Sequence, residues 1–208
     1  MKRVFPSSTH QQVDLLICGG GVYGAWTAYD AALRGLKVMI VEQNDWASAT
    51  SSASSKLIHG GLRYLETYDF KLVSKALKER EMLLRTAPHR VWPLRFGVPV
   101  YSHQRINRLQ LKCGLVIYDF LAGDSHLHQS HAYLSRRRFT EHFDFLTENT
   151  LKGGFTYGDA QTDDARLVLE LIAGAMSAGA SCINYCKLTR LLESDGLASG
   201  AIIQDQVS

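Results

Sequence analysis

Residues 13–42, VDLLICGGGVYGAWTAYDAALRGLKVMIVE, decide how this chain of 208 residues folds. They open with a short apolar run, residues 13–17, which is typical of a strand buried on both faces. Three glycines then follow at the spacing G-x-G-x-x-G: Gly19, Gly21 and Gly24. Residues 22–34 are predicted to form a helix that stops at Gly35, and residues 36–41 a second strand.

Each glycine of this turn has a physical role in binding a dinucleotide. Gly19 lets the chain turn tightly, Gly21 leaves no Cβ between the backbone and a pyrophosphate, and Gly24 lets the helix lie close to the strand. The helix begins with free N–H groups and the positive end of its dipole, which favour an anion. Glu42 follows the turn by about 20 residues, where its carboxylate can bond a ribose hydroxyl. The stretch therefore predicts a βαβ unit that binds NAD or FAD, because both share the ADP half. A βαβ turn without a ligand is the alternative.

The composition is that of an ordinary globular protein, with 46% hydrophobic and 21% charged residues. No apolar run approaches the roughly 20 residues that a membrane-spanning helix needs. Residues 1–12 are basic, contain no acidic residue and lack the apolar segment of a secretory signal. They are expected to be an N-terminal tail, with a fragment of an organelle-targeting peptide as the alternative.

The cysteines and histidines are weak candidates for metal ligands. Four cysteines occur and none lies in a C-x-x-C pair: Cys18, Cys113, Cys182 and Cys186. This usage predicts small buried thiols in a reduced compartment. Cys182 and Cys186 are predicted to share one face of a strand, but no further ligands stand near them. Three histidines are spaced like zinc ligands, His126, His128 and His131, yet Asp124 is the only nearby carboxylate, so we expect no metal site.

The net charge of +3 conceals a strongly basic middle of the chain. Residues 71–138 contain thirteen Lys and Arg but four Asp and Glu. This excess leaves open a solvated basic face, a phosphate-bearing small substrate and an anionic membrane surface. Nucleic acid is not expected to bind, because the segment has no basic patch interleaved with aromatic residues.

A segment rich in hydroxyl groups follows the second strand. Six serines and threonines lie between positions 48 and 55, and residues that bind anions or move protons come next: Lys56, His59, Arg63 and Tyr64. The composition alone is also that of a flexible linker. The alternative is a loop folded over a pyrophosphate and a reactive ring, in which Gly60 and Gly61 let the backbone approach a flat cofactor.

Hydrophobic periodicity predicts the elements of the remaining chain. Helices are expected at residues 68–86, 106–121 and 164–178, strands at residues 90–101, 153–157 and 181–185, and a hairpin over residues 187–204 whose strands are joined by Asp195 and Gly196. Asp163 or Thr162 is expected to cap the third helix, whose predicted core face is Leu167, Val168, Leu171, Ile172 and Ala175. The buried side of the second of these helices is predicted to be Leu109, Cys113, Val116, Ile117 and Phe120. A membrane-facing helix is the alternative for that segment.

Residues 49–73, ATSSASSKLIHGGLRYLETYDFKLV, resemble the FAD-dependent glycerol-3-phosphate dehydrogenase family, and DAQTDDARL at residues 159–167 adds to the match. The run TSSASSKLIHGGLRYLE is far more specific to that family than the glycine turn. The resemblance extends from about residue 13 to the end of the chain. Because members of the family are much longer, the chain is expected to be an N-terminal portion of one.

The resemblance implies an α/β fold with a Rossmann-like FAD-binding domain of the DAO and glutathione-reductase type. This domain is expected to comprise residues 13–86 and 151–208 and to be incomplete at its C-terminal end. Residues 87–150 are expected to be part of a second, substrate-facing α+β domain.

The resemblance also implies a reaction, the oxidation of sn-glycerol 3-phosphate to dihydroxyacetone phosphate. A hydride passes from C2 of the substrate to N5 of FAD, and the electrons leave for a membrane quinone. The expected location is cytoplasmic and peripheral to the inner or cytoplasmic membrane, or to the mitochondrial inner membrane in a eukaryote. An anionic membrane surface and a second copy of the chain, in a homodimer, are further expected partners.

The family assigns roles to individual residues of this chain. The expected FAD contacts are Gly19, Gly21, Gly24, Glu42, Ser51, Ser52, Ser55, Lys56, Leu57, His59 and Leu188. Arg63 and Tyr64 match positions that contact the substrate phosphate or its neighbouring oxygens. His59 is a weak candidate for the general base, which the family places beyond Ser208. The isolated chain is therefore expected to be inactive. Another FAD-dependent oxidoreductase of amines or hydroxy acids, or a truncated FAD-binding module, is the alternative.

Overall fold

A computed structural model describes residues 11–123, 129–147 and 149–207. The described residues form two compact units, one from the segments up to Ser55 and from Asp163 onward, the other from Lys56 to Thr162. The predicted division into residues 13–86 with 151–208 and residues 87–150 concerns cofactor and substrate roles, and it stays a prediction.

The described residues form nine strands, five α-helices and one 3₁₀ helix. In chain order they are β1 (Leu15–Cys18), α1 (Val22–Leu33), β2 (Val38–Val41), β3 (Leu57–Ile58), a 3₁₀ helix (Leu62–Thr67), α2 (Phe70–Thr86), β4 (Val91–Tyr101), α3 (Arg108–Ala122), β5 (Ala132–Ser135), α4 (Arg136–His142), β6 (Leu151–Thr162), α5 (Asp164–Ser177), β7 (Ser181–Ile183), β8 (Cys186–Ser194) and β9 (Leu197–Asp205).

The first unit is built on a parallel sheet in the order β1–β2–β7. Its central strand β2 is buried at every position, as expected for an apolar run without alternation. Helices α1 and α5 cover one face of this sheet, and they pack closely because the buried positions of α1 are alanines: Ala25, Ala28, Ala31 and Ala32. The predicted α/β fold and its parallel βαβ unit are confirmed.

Helix α5 and the following hairpin also form where the sequence predicts them. The carboxylate of Asp163 accepts the backbone N–H of Arg166 at 3.2 Å and thereby caps α5. The predicted core face of α5 is buried, namely Leu167, Val168, Leu171, Ile172 and Ala175. Strands β8 and β9 pair antiparallel, and the turn between them has positive φ at Asp195 and Gly196, as a two-residue hairpin turn requires.

The second unit is built on an antiparallel sheet. Strand β6 lies between β3 and β4 and pairs with β5 as well. Helices α2 and α3 pack together through a cluster that includes Val73, Leu77 and Tyr118. Asp69 caps α2 by accepting the backbone N–H of Leu72 at 3.1 Å. Residues 90–101, predicted to contain strands, form the single continuous strand β4.

The predicted buried side of α3 is wrong. Leu109 is 69% and Phe120 is 83% exposed, and Cys113, Val116 and Ile117 are exposed as well. The fully buried residues of α3 are Leu115 and Tyr118. Helix α3 is apolar on two sides, so periodicity alone does not select the face that packs. The structure buries the side with Tyr118, whose hydroxyl finds buried hydrogen-bond partners.

The expectation that the cysteines are buried is wrong for two of them, and the expectation that Cys182 and Cys186 share one face of a strand is wrong as well. Cys18 and Cys113 are exposed, whereas Cys182 and Cys186 are buried. Cys182 packs with the core under α1 and α5, but Cys186 packs on the opposite face of the sheet with Met39 and Val41. The turn between β7 and β8, with positive φ at Tyr185, separates the two thiols.

His131 has a partner other than a metal. Its Nδ1 atom lies 2.6 Å from Oδ2 of Asp119, while His126 and His128 lie outside the described residues. Within residues 11–123, 129–147 and 149–207, no group of three or more His, Cys, Asp or Glu side chains is arranged to hold a metal ion. Over the same residues, no helix is both long enough and apolar enough to cross a membrane.

Replacing Gly24 with alanine should destabilise the first unit. A Cβ at this position would collide with the backbone carbonyl of Gly19, and such overpacking costs about 1–3 kcal/mol or more. The matched control is Gly114→Ala in α3, where a Cβ meets no atom within 4 Å and should raise stability by up to about 1 kcal/mol. Denaturant unfolding of both variants measures these changes. Equal stability of the two variants would contradict the packing role of Gly24.

Candidate functional site

The glycine turn connects β1 to α1 at the carboxyl end of the sheet. Gly19 has a φ of +116°, and its N–H donates to the carbonyl of Val41 at 2.8 Å. The first turn of α1 lies so close to this loop that Gly24 has no room for a Cβ. Gly21 is the residue before the helix, and no side chain on it caps the helix. The turn therefore leaves its backbone N–H groups available to oxygen atoms brought from other segments.

Two such oxygens come from side chains that the sequence predicted as cofactor contacts. The N–H of Val22 donates to Oγ of Ser51 at 2.9 Å. The N–H of Gly20 donates to Oε2 of Glu42 at 2.7 Å, and the other carboxylate oxygen accepts the N–H of Asn44 at 2.7 Å. Two oxygen acceptors, one of them anionic, thus lie at the turn before α1 and at its first residue, which is the preference expected at the positive end of a helix dipole.

A cavity of about 220 Å³ lies beside this turn. Glu42 and Leu188 both line it, together with Cys18, Gly19, Cys186 and Lys187. Its position outside the carboxyl ends of β1 and β2 is where open parallel sheets bind nucleotides. Backbone donors for phosphate, a carboxylate for ribose hydroxyls and a half-buried leucine for an adenine face fit the ADP half of a dinucleotide.

The serine-rich segment is anchored at several points, unlike a flexible linker. Ala47 is buried and its N–H donates to the carbonyl of Gly20 at 3.0 Å. The ring of Trp46 occupies the space that a Cβ on Gly20 would need. At the other end of the segment, the hydroxyl of Ser54 donates to Oδ2 of Asp164 at 2.6 Å. The segment is therefore a folded loop over the start of α1.

The other two serines predicted to contact FAD lie on the surface of this loop. Ser52 is exposed and its hydroxyl donates to the carbonyl of Ala49 at 3.1 Å. Ser55 is exposed as well. Gly20 and Trp46 were not singled out from the sequence, because they are far apart along the chain and only folding brings the ring of Trp46 against Gly20.

The second unit contains the remaining predicted site residues. Lys56 has a φ of +58°, and its carbonyl accepts the N–H of Thr162 at 2.9 Å. Leu57 pairs with Gln161 in the short strand β3, and His59 after that strand is exposed. Backbone hydrogen bonds therefore fix the positions of Lys56 and Leu57, and His59 follows them directly on the surface.

The two glycines after His59 lead into the 3₁₀ helix that carries Arg63 and Tyr64. Gly61 has a left-handed backbone with φ of +71° and immediately precedes this helix. Its carbonyl accepts the N–H of Tyr64 at 2.9 Å. Arg63 is exposed and Tyr64 is 42% exposed. The site roles predicted for these residues and for those of the first unit stay predictions.

A buried polar network lies directly under this turn, and sequence reasoning missed it. Nη1 of Arg80 lies 2.6 Å from Oδ1 of Asp159, and the hydroxyl of Tyr118 lies 2.8 Å from Oδ2 of the same carboxylate. The N–H of Gly60 donates to the Tyr118 hydroxyl at 2.8 Å. A signal was present, because Arg80 occupies the same helical stripe as Val73, Leu77 and Leu84, where a charged residue implies a buried partner.

The network holds Tyr118 in its neutral form. Burial, the charge of Asp159 and the hydrogen bond to it raise the pKa of the Tyr118 phenol far above its ordinary value. A neutral phenol can donate to the carboxylate and accept the N–H of Gly60 at the same time. The neighbouring ring of Tyr157 packs edge-on against Tyr118 with their centroids 5.7 Å apart.

Comparison with known proteins agrees with this geometry. Residues 14–206 match the family described as FAD dependent oxidoreductase. The chain is 44% identical over 208 residues to a glycerol-3-phosphate dehydrogenase of Synechocystis sp., covering 99% of this chain and 37% of that protein. It is 47% identical over 183 residues to a D-erythritol 1-phosphate dehydrogenase of Brucella abortus, covering 88% of this chain and 35% of that protein.

A solved structure shows the same fold. The glycerol-3-phosphate dehydrogenase of Bacillus halodurans complexed with FAD superimposes with a TM-score of 0.71 at 31% identity, covering 96% of this chain and 32% of that one. The chain therefore spans roughly a third of the length of the relatives it matches. It belongs to the FAD dependent oxidoreductase family, and the family resemblance seen in the sequence is confirmed.

The buried Tyr118 and the half-buried Tyr157 should make the second unit sensitive to alkali. Burial and the charge of Asp159 raise the pKa of Tyr157 to about 12, whereas unfolded tyrosines ionise near pH 10. Below pH 10 the stability that corresponds to this difference in the pKa of Tyr157 is fully present. Above pH 10 the unfolded chain releases a proton that the folded chain keeps until about pH 12, so the free energy of unfolding falls with rising pH.

The variant Tyr157→Phe should therefore lose less stability than the wild type between about pH 9 and pH 12, by roughly 1–2 kcal/mol after allowance for solvent screening. Denaturant titrations across this range give the measurement. Tyr23→Phe is the control, because Tyr23 is 90% exposed, and it should follow the wild type at every pH. A Tyr157→Phe profile that also follows the wild type would show the prediction to be wrong.

Proposed function

We propose that this member of the FAD dependent oxidoreductase family is the N-terminal part of an enzyme that oxidises sn-glycerol 3-phosphate to dihydroxyacetone phosphate. The observation that carries the proposal is the joint presence of a dinucleotide-type turn and the segment TSSASSKLIHGGLRYLE. Sequence identities of 44% and 47% to two polyol phosphate dehydrogenases support it. The activity is proposed for the whole protein and not for this chain by itself.

The first unit would bind the ADP half of FAD. The N–H groups at the start of α1 suit the pyrophosphate, and Ser51 and Glu42, which accept two N–H groups of this turn, would lie beside the phosphate and the ribose. Leu188 and the backbone next to it would contact the adenine. When bound, FAD supplies the two-electron acceptor for the hydride that leaves C2 of the substrate.

The second unit would supply contacts to the isoalloxazine and to the substrate. Lys56, Leu57 and His59 are the flavin contacts that the family resemblance predicts. Arg63 is the proposed phosphate ligand: its guanidinium is exposed, and the described residues give it no hydrogen bond or ion pair. A planar guanidinium fork matches two phosphate oxygens better than an ammonium group does. We assign no general base, and His59 stays a weak candidate.

D-Erythritol 1-phosphate is a second candidate substrate. The relative from Brucella abortus that is named for it is as similar to this chain as the glycerol-3-phosphate dehydrogenases are. Both substrates are polyols with a terminal phosphate, so the same arginine would serve both. A flavin enzyme that acts on amines or hydroxy acids would not need this phosphate contact.

Peripheral association with an anionic membrane, where a quinone would accept the electrons, is part of the proposal. The exposed face of α3 (Leu109, Cys113, Val116 and Phe120) is apolar, and Lys112 on the same helix is exposed. An apolar stripe bordered by basic side chains suits the interface of an anionic bilayer. Cytoplasmic location at the inner membrane and a homodimer stay predictions.

The reductive half-reaction tests the main proposal. The whole protein, purified with FAD, should lose its flavin absorbance on anaerobic addition of sn-glycerol 3-phosphate but not of glycerol or NADH. Because a charged hydrogen bond to phosphate is lost, Arg63→Gln should raise the KM about 10- to 100-fold. Arg85→Gln is the matched control, since Arg85 pairs with Glu81 on the surface of α2.

Each outcome of this experiment identifies a different function. Reduction by glycerol as readily as by its phosphate would refute a phosphate-dependent enzyme, and reduction by amino acids alone would favour an amine oxidase. Faster reduction by D-erythritol 1-phosphate would identify that substrate instead. Turnover by the 208-residue chain alone would contradict the expectation that it is an inactive FAD-binding module.

Sedimentation with vesicles tests the membrane proposal. The protein should bind vesicles that contain phosphatidylglycerol, and binding should weaken at high salt because the charges are screened. Phe120→Glu should reduce binding severalfold, since it places a charge in the apolar face. Phe145→Glu is the control, because Phe145 is an equally exposed aromatic outside α3. If both variants bind like the wild type, α3 is not the membrane contact.

A further inference from the structure

The buried network of the second unit connects three elements to a single backbone amide. Arg80 lies on α2, Tyr118 on α3 and Asp159 on β6, and they are 2%, 0% and 4% exposed. Arg80 also donates to the carbonyl of Gly158 at 3.0 Å. Two members of the network lie against the N–H of Gly60, which is 2.8 Å from the Tyr118 hydroxyl and 3.3 Å from Oδ1 of Asp159.

The hydrophobic effect does not explain why an ion pair and a phenol are buried here. Removing an ion pair from water is costly, and well-packed apolar residues at the same positions are often as stable or more so. The aromatic and leucine side chains around it, including Leu77 and Tyr157, already form a packed cluster. Leu62 and Leu65 of the following 3₁₀ helix pack into the same cluster, but Gly60 and Gly61 have no side chains that could do so. What the network adds is a fixed position for the N–H group of Gly60.

That segment leads directly to the proposed phosphate ligand. A Cβ on Gly60 would lie 2.5 Å from Cδ2 of Leu77 and 2.5 Å from the Tyr118 hydroxyl, so the backbone itself is in contact with the network. Gly61 then adopts the left-handed conformation and starts the 3₁₀ helix with Arg63. Because the backbone passes from Gly60 to Arg63 through only two residues, a shift of the first moves the second.

We propose that Tyr118, oriented by Asp159 and Arg80, is a positioning residue that fixes Gly60 and thereby aims Arg63 and Tyr64 at the substrate phosphate. This inference rests on the proposed function, since that function assigns the phosphate to the 3₁₀ helix. Tyr118 does not touch the substrate. Its role is to keep the turn of Gly60 and Gly61 in one conformation before the substrate arrives, so that binding does not have to order it.

The test compares two conservative variants of the whole FAD-containing protein. Tyr118→Phe removes the hydroxyl that holds Gly60 and keeps the ring. Tyr157→Phe removes a hydroxyl from the adjacent ring of the same cluster, to which the described residues give no hydrogen bond. Retained flavin absorbance and far-UV circular dichroism verify that both variants are folded.

Two readouts are needed. Steady-state kinetics with sn-glycerol 3-phosphate should show that Tyr118→Phe raises the KM about five- to tenfold, the value of one hydrogen bond, with kcat within about twofold. Hydrogen–deuterium exchange of peptides covering residues 57–67 should be faster in Tyr118→Phe than in the wild type. Tyr157→Phe should match the wild type in both.

The proposal is overturned if Tyr118→Phe leaves either readout unchanged, or if Tyr157→Phe changes both to the same extent. If the wild-type flavin is not reduced by sn-glycerol 3-phosphate, the proposed function fails, whereas the exchange comparison still decides whether Tyr118 fixes the turn. Should Tyr118→Phe not accumulate as folded protein, exchange in the wild type decides: a Gly60 amide that exchanges as fast as the amide of the exposed residue Arg63 refutes the positioning role.

Discussion

The first unit depends on the close approach of one helix to the turn that precedes it. Helix α1 begins so near the loop after β1 that only glycine fits at position 24, against the carbonyl of Gly19. This approach fixes the direction of α1 and therefore the direction of the N–H groups in its first turn. The alanines on the buried side of α1 keep α5 equally close, so the strand ends and the helix start form a narrow, polar edge at the carboxyl end of the sheet.

The second unit fixes its own glycine turn by different means. Gly61 precedes the 3₁₀ helix, and the atoms that crowd Gly60 belong to side chains. A carboxylate paired with an arginine orients a phenol, and the phenol accepts the N–H of Gly60. Steric exclusion by backbone atoms determines one loop, and buried hydrogen bonds determine the other. A buried ion pair is costly in free energy and gains little stability, which is why a positional role explains it better than a stabilising one.

The two faces of α3 illustrate how polar contacts select among apolar surfaces. Leu115 and Tyr118 are buried, while Leu109 and Phe120 on another side of the same helix face solvent. Either side would have satisfied a hydrophobic pattern. Because the Tyr118 hydroxyl satisfies both a carboxylate and an amide in the interior, burial of its side leaves fewer polar groups without partners. The exposed side is then left as an apolar surface with basic neighbours.

The sequence by itself determined the elements whose signals are local. The glycine spacing, the apolar run of β2, the Asp163 cap of α5 and the Asp195–Gly196 turn each depend on residues within one segment, and each forms as predicted. The sequence also identified the family, because a run such as TSSASSKLIHGGLRYLE is specific without any knowledge of contacts.

Only the tertiary structure decided which side of α3 is buried, that Cys182 and Cys186 lie on opposite faces of a sheet, and that Arg80, Tyr118 and Asp159 meet beneath Gly60. Arg80, Tyr118 and Asp159 are separated from one another by about 40 positions or more along the chain. Periodicity describes one element at a time, whereas a hydrogen bond between elements depends on how they pack. The physical reason is that the free energy of a buried polar group is set by its partners, and those partners are brought to it only by folding.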